Sequence, residues 1–262
     1  MSYQSAIDAA GGGKRLSQST LSDGVVDQSP EELLAQARRL DADVTLEEYT
    51  LARVMYSENG SGPAVHLLCI GDADVNRAER KRVSVFKHAT GGTSRFGQQG
   101  VGGRPVSTRF DPTVRTLRAA RFILSGDARG ITRGGTHYYD PRTQLAMWAK
   151  GDPHYCHPLA ILESWTFSKP IVRRTTDDEG RRVCELGDSN GGGMEWVGAI
   201  DGVDAWDLMV LKTRSTAASQ ARHYEQARAV IESRGATQPT DNTELVALVA
   251  AAGVAAAAAR VL

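Results

Sequence analysis

Thr45-Leu46-Glu47-Glu48-Tyr49-Thr50-Leu51-Ala52-Arg53-Val54-Met55-Tyr56-Ser57-Glu58, followed at once by Asn59-Gly60-Ser61-Gly62-Pro63, reads as a helix that stops at a turn. Thr45 and Glu48 form a capping box at its start, and Asn-Gly closes it. Glu58 therefore stands in the last turn of a mostly apolar helix, facing a Gly-rich opening. A carboxyl placed between core and cleft is partly desolvated, which favours its protonated form and can raise its pKa to about 6. Such a group suits general acid catalysis, and cleavage of a glycosidic bond needs one to protonate the leaving oxygen. The plain alternative is a helix that ends in Glu-Asn-Gly because Asn and Gly end helices. The macrodipole slightly disfavours Glu at that end, so helix stability did not select it.

Working outward, Ser29-Pro30-Glu31-Glu32 gives another capping box, and Leu33, Leu34, Ala37 and Leu40 supply the apolar face of a short helix. Residues 1–28 are rich in Ser, Gly, Asp and Gln and read as a flexible arm. Pro63 starts a further helix that runs through Asn76-Arg77. Residues 78–110 read as a basic, irregular, Gly-rich segment. Asp111-Pro112-Thr113 marks an N-cap with Pro at the first helical position, and Val114, Leu117, Ala120, Ile123 and Leu124 follow at helical spacing up to Gly126.

Gly134-Gly135-Thr136-His137-Tyr138-Tyr139-Asp140-Pro141 puts three hydrogen-bonding rings on what reads as a tight loop, a composition that suits sugar recognition. A structural loop with its tyrosines packed inward is the alternative. Gln98, in Ser94-Arg95-Phe96-Gly97-Gln98-Gln99-Gly100, offers an amide for hydroxyls or N-acetyl groups. Beyond residue 165, Lys169–Val172 and Arg182–Leu186 flank a polar turn, as in a β-hairpin. Residues 194–212 are ambiguous between helix and strand, and Ser219–Arg234 reads as a helix. Leu245–Leu262 is an Ala-rich tail, best read as a packing helix, with oligomer contacts or membrane insertion as alternatives.

The chain has 262 residues and zero formal net charge, so one sizeable domain with extensions fits, and nothing favours nucleic acid as a partner. Three cysteines, Cys69, Cys156 and Cys184, are too few for a disulfide framework and read as reduced thiols. The N-terminus shows no secretory signal. His154, Cys156 and His157 do not match a common zinc pattern, and no metal or other cofactor is expected. Walker, Rossmann and Gly-x-Ser-x-Gly motifs are absent.

In their order and spacing these segments resemble the SleB-like cell-wall hydrolases, the spore cortex-lytic enzyme type. Ala52-Arg53-Val54-Met55-Tyr56-Ser57-Glu58 matches the family's Ala-Arg-Val-Ile-Tyr-x-Glu helix. Pro63, Asn76-Arg77, Ala119-Ala120, Gly126, the 134–141 segment and Trp148 fall where the family has their counterparts. The likeness covers roughly residues 45–168. Gly62 departs from it, standing where many members carry a second Glu, and so do Gly71, Asp72 and Asp74, where members are apolar.

The resemblance implies a lysozyme-like muralytic domain of mainly α-helical, α+β class. Glu58 would be its catalytic acid, and Tyr56, Gln98, His137, Tyr138 and Asn76 would support the substrate. It implies cleavage of peptidoglycan glycan strands, by a lytic transglycosylase route with one acid or as a muramidase with a second carboxylate about 5–9.5 Å away. Asp72, Asp74 and Asp140 are the candidates for that second group. The expected organisation is an arm over 1–28, the lysozyme-like domain over 29–168, a hairpin and helix extension over 169–235, and a linker with the Ala-rich helix over 236–262. With no signal visible, the expected setting is a phage particle or contractile device acting on the cell wall. The partners would then be peptidoglycan and the structural proteins of the carrier. A catalytically weak assembly protein on the same scaffold is the alternative.

Overall fold

The computed structural model describes residues 34–35, 38, 42–59, 62–90, 112–213 and 216–236. Gln98, the 1–28 arm, the first capping box and the Ala-rich tail lie outside the described residues. The architecture is mixed α+β and mainly helical. The chain forms two compact units that part between His137 and Tyr138. That boundary falls inside the 29–168 span expected as one domain.

The first unit is helical. Helix α1 (Leu46–Asn59) opens with the expected capping box: Thr45 N–H donates to Glu48 Oε2 at 2.7 Å, and Glu48 N–H donates to Thr45 Oγ1 at 3.2 Å. Helix α2 (Ala64–Lys81) follows Pro63. It corrects the start of the segment 78–110 expected to be irregular, because the helix runs four residues beyond Arg77; residues 91–110 lie outside the described residues. Arg80 and Lys81 complement the negative end of the dipole, and Arg82 terminates the helix in a left-handed conformation (φ 54°). Helix α3 (Val85–Thr90) then starts under a Ser84 cap, with Lys87 N–H donating to Ser84 Oγ at 3.1 Å.

Helix α4 (Val114–Leu124) is capped by Thr113 in a box with Thr116, so the N-cap lies two residues after the expected Asp111 and Pro112 precedes the helix. Leu51, Met55, Leu67, Leu68, Ile70 and Ile123 are fully buried where these helices pack. Gly71 permits that closeness. A Cβ there would sit 3.0 Å from Met55 Sδ and 3.4 Å from Ile123 Cγ1, so a larger residue would push the Met55 side chain aside by a few tenths of an ångström.

The second unit is built on β1 (His137–Tyr139), which begins at the boundary, β4 (Met194–Trp196) and β5 (Met209–Thr213), in the order β1-β5-β4. The expected tight loop at 134–141 is thus a strand and a cap. Asp140 caps α5 (Pro141–Ala149), with Pro141 at the first helical position. Helix α6 (Pro158–Thr166) follows. The expected hairpin is present as β2 (Ile171–Thr176) and β3 (Arg182–Leu186), paired antiparallel. Helix α7 (Ala217–Ile231) is capped by Thr216 and continues as a π-helical turn to Ala236.

The ambiguous stretch 194–212 resolves into β4 and β5 because its apolar residues are core. Trp196, Trp206, Met209 and Leu211 pack with Leu145, Trp148 and Leu162. The reading of three reduced thiols is also corrected. Cys156, just before α6, and Cys184, on β3, are disulfide-bonded with Cα atoms 5.8 Å apart. Cys69 is free and buried, and burial pushes its thiol up to about 12.

Candidate functional site

The first unit gathers its ionisable groups around Arg77. Asp74 and Arg77 stand one turn apart on α2 and pair at 3.2 Å. Arg77 Nε also donates to the carbonyl oxygen of Thr136, which ties the helix to the residue before His137. Glu58, at the end of α1, feels both charges. Its carboxyl is pushed up to about 7, chiefly by desolvation and secondly by Asp74, with Arg77 pulling the other way. The side chain nevertheless reaches solvent. The two facts fit a carboxyl with a crowded back and one open side. Water on the open side screens part of that effect.

Two imidazoles share this field. His137 is lowered to about 4, first by burial and then by Arg77, Arg80 and Lys81; its Nδ1 lies 3.0 Å from Thr136 Oγ1. His88, on α3, is lowered to about 4 by burial, Lys81 and Arg77. Both rings are neutral at pH 7, so they act as hydrogen-bonding groups rather than as charges. An acid whose pKa is raised toward neutrality, with neutral rings and one guanidinium in the same field, can give a proton and take it back.

The candidate second carboxylates have other work. Asp72 is fully buried. It accepts from Gly130 N–H at 3.1 Å, Thr132 N–H at 3.0 Å and Thr132 Oγ1, and it pairs with Arg129. The carboxylate thereby pins the turn 127–136 that delivers His137. Asp140, in the second unit, is occupied as a helix cap, accepting from Thr143 N–H at 2.8 Å and Thr143 Oγ1 at 2.7 Å. Asp74 is buried at 2% exposure.

The supporting residues fare differently. Asn76 donates to Gly135 O at 2.8 Å and Thr132 Oγ1 at 3.1 Å and accepts from Arg129 at 3.1 Å, so its amide holds the same turn. Tyr56 is half-buried on α1, and two residues of helix separate its direction from that of Glu58. Tyr138 is the first residue of the second unit. Gln98 is outside the described residues. The sequence reading passed over His88, weighed Asp74 as a second carboxylate and treated Arg77 only as a motif position; the i,i+3 spacing of Asp74 and Arg77 was the available signal for their pairing.

The histidines near Cys156 are not assembled for zinc. The Cys156 sulfur is bonded to Cys184, and His157 Nδ1 accepts from Leu159 N–H at 3.3 Å. Among the described residues, no group of three or more His, Cys, Asp or Glu is arranged to hold a metal ion. No helix among them is long and apolar enough to cross a membrane. No family model, curated protein or solved structure matches the chain.

Proposed function

We propose that this chain cleaves peptidoglycan glycan strands with Glu58 as the catalytic acid, on a lysozyme-like scaffold of the SleB-like type. The observation that carries the reading is the Glu58 carboxyl, poised at about 7 at the end of α1 with one side open to solvent. Its protonated form donates to the oxygen between N-acetylmuramic acid and N-acetylglucosamine as that bond breaks. The resulting carboxylate takes the proton from the muramic C6 hydroxyl, which closes on the oxocarbenium-like carbon and leaves a 1,6-anhydro sugar. Arg77 stabilises the carboxylate between the two transfers, and Asp74 limits that stabilisation so the group remains an acid near neutrality.

The lytic transglycosylase route is favoured over hydrolysis because Asp72 and Asp140 are committed to structural hydrogen bonds and Asp74 is buried against Arg77. A hydrolase needs a carboxylate free to engage substrate or water. His137 would supply sugar contacts, and Tyr56, Gln98 and Tyr138 keep the supporting roles that the resemblance implies. The Cys156–Cys184 disulfide suits an oxidising compartment. That agrees with action in the periplasm or cell wall after delivery by a phage particle or contractile device.

Purified peptidoglycan digested with wild type and Glu58→Gln, with the soluble products weighed by mass spectrometry, tests the proposal. Anhydromuropeptides that vanish in the variant support it. Reducing-end products that vanish would retain Glu58 and replace the transglycosylase route with hydrolysis. No product from folded wild-type protein would overturn it in favour of an assembly role.

A further inference from the structure

The second unit contains a groove of about 390 Å³ between the end of α6 and the loop after β3. It lies within the size range of ligand sites, and its residues have no part in the Glu58 cluster. Trp165 is half-buried at the wall, with its back fixed by an edge contact to Tyr139 at a centroid distance of 5.5 Å. Met194 and Pro170 continue the apolar surface. Ser168 and Asn190 line the groove with polar groups, and among the described residues neither side chain has an intramolecular hydrogen bond.

The loop is held in place. Gly187 N–H donates to Pro170 O at 2.9 Å, and Asn190 N–H donates to Ser168 O at 3.1 Å. Ser189 Oγ donates to Phe167 O. Gly193 (φ 148°) seats the loop so closely that a Cβ would lie 2.1 Å from Thr166 O. Ser168 itself adopts a left-handed conformation (φ 51°), an uncommon state for a residue with a side chain. A fixed aromatic surface beside an amide and a hydroxyl whose bonds are unspent is the equipment for a pyranose ring. The ring lays its C–H face on the indole, and its hydroxyl or acetamido groups pair with the amide.

We infer that this groove is a saccharide-binding site of the second unit, with Trp165 as the platform and Asn190 and Ser168 as the hydrogen-bonding groups. The choice of N-acetylated amino sugars as its ligands rests on the peptidoglycan reading. Lys169 closes the rim through its pair with Glu163 at 2.7 Å, so the site presents a balanced pair rather than a bare cation. That balance suits neutral sugars better than anionic stems. The groove would give the second unit its own hold on glycan.

The test is calorimetric titration of full-length Glu58→Gln protein with N-acetylglucosamine tetramer, which carries no peptide. Trp165→Leu and Asn190→Ala are made in the same background. Saturable binding is expected, weakened five- to tenfold by Asn190→Ala and at least tenfold by Trp165→Leu. Tryptophan fluorescence gives a second readout, because Trp148, Trp196 and Trp206 are each below a tenth exposed and Trp165 is the accessible indole. If Trp165→Leu misfolds, the exposed Asn190→Ala decides alone. No binding, or binding that Asn190→Ala leaves unchanged, overturns the inference. Cleavage by wild type with no such effect removes the groove and keeps the catalytic proposal. Groove-dependent binding without cleavage does the reverse.

Discussion

Replacing Asp72 with Ala tests whether the carboxylate is a scaffold for the turn 127–136. The wild-type group is fully buried and accepts from two backbone N–H groups and one hydroxyl while pairing with Arg129. Removing one partner of a buried ion pair costs about 3–5 kcal/mol. Arg129 is 25% exposed and keeps Glu79 at 2.8 Å and Asn76 at 3.1 Å, which places its share at the low end, about 2–3 kcal/mol. The N–H groups of Gly130 and Thr132 lose their acceptor, at about 1 kcal/mol each. The expected total is ~4–5 kcal/mol. Asp72→Asn, which keeps one carbonyl oxygen, should lose about half of that. Urea unfolding followed by circular dichroism measures the loss. Hydrogen exchange across residues 127–136 should show Gly130 and Thr132 losing protection. A change below 1 kcal/mol with protection intact would refute the scaffold role and return Asp72 to the candidates for catalysis.

Other expectations follow from the same geometry. With Glu58 raised to about 7, glycan cleavage should fall as pH rises through 7, and Asp74→Asn should move that limb to lower pH because the neighbouring negative charge is gone; an unmoved limb would show that Asp74 does not act on Glu58. His88 and His137 are held near 4 against an ordinary 6.5, so the folded state binds fewer protons than the unfolded chain between those values. Stability should therefore decline as pH falls from 6.5 to 4, by ~1–2 kcal/mol per ring after solvent screening, and thermal melts of His137→Gln should show a shallower decline. The Cys156–Cys184 bond spans 28 residues, so Cys184→Ser should lower stability by ~3–4 kcal/mol in the chain-entropy account; an unchanged urea midpoint would count against it.

Elements governed by neighbouring residues were legible beforehand. The Thr45 and Glu48 box, the break after Glu58, the helix after Pro63 and the 171–186 hairpin depend on caps, turns and periodicity within a few positions. Residues 194–212 were not legible, since their mixture of Trp, Asp and Gly has no clean period. Only burial of Trp196, Trp206 and Leu211 against one core makes them strands and their connection. The loop expected at 134–141 failed only in part: Gly134 and Gly135 remain in the turn, and it is His137–Tyr139 that pairing in a sheet makes a strand.

The candidate site divides along the same line. Residue order determined that Glu58 ends an apolar helix beside a Gly-rich turn, and that alone marks it as a carboxyl at a core edge. Tertiary structure decided what surrounds it. Desolvation by its packed surroundings raises its proton affinity, with Asp74 and Arg77 adjusting it from another helix, the Asp72 carboxylate fastens a turn some 60 positions away, and Cys184 meets Cys156 across 28 residues. Local signals reach a turn or two along the chain, because they are carried by backbone hydrogen bonds and side-chain spacing. Charge pairing, desolvation and disulfide geometry depend on distances through space, and only the folded chain sets those.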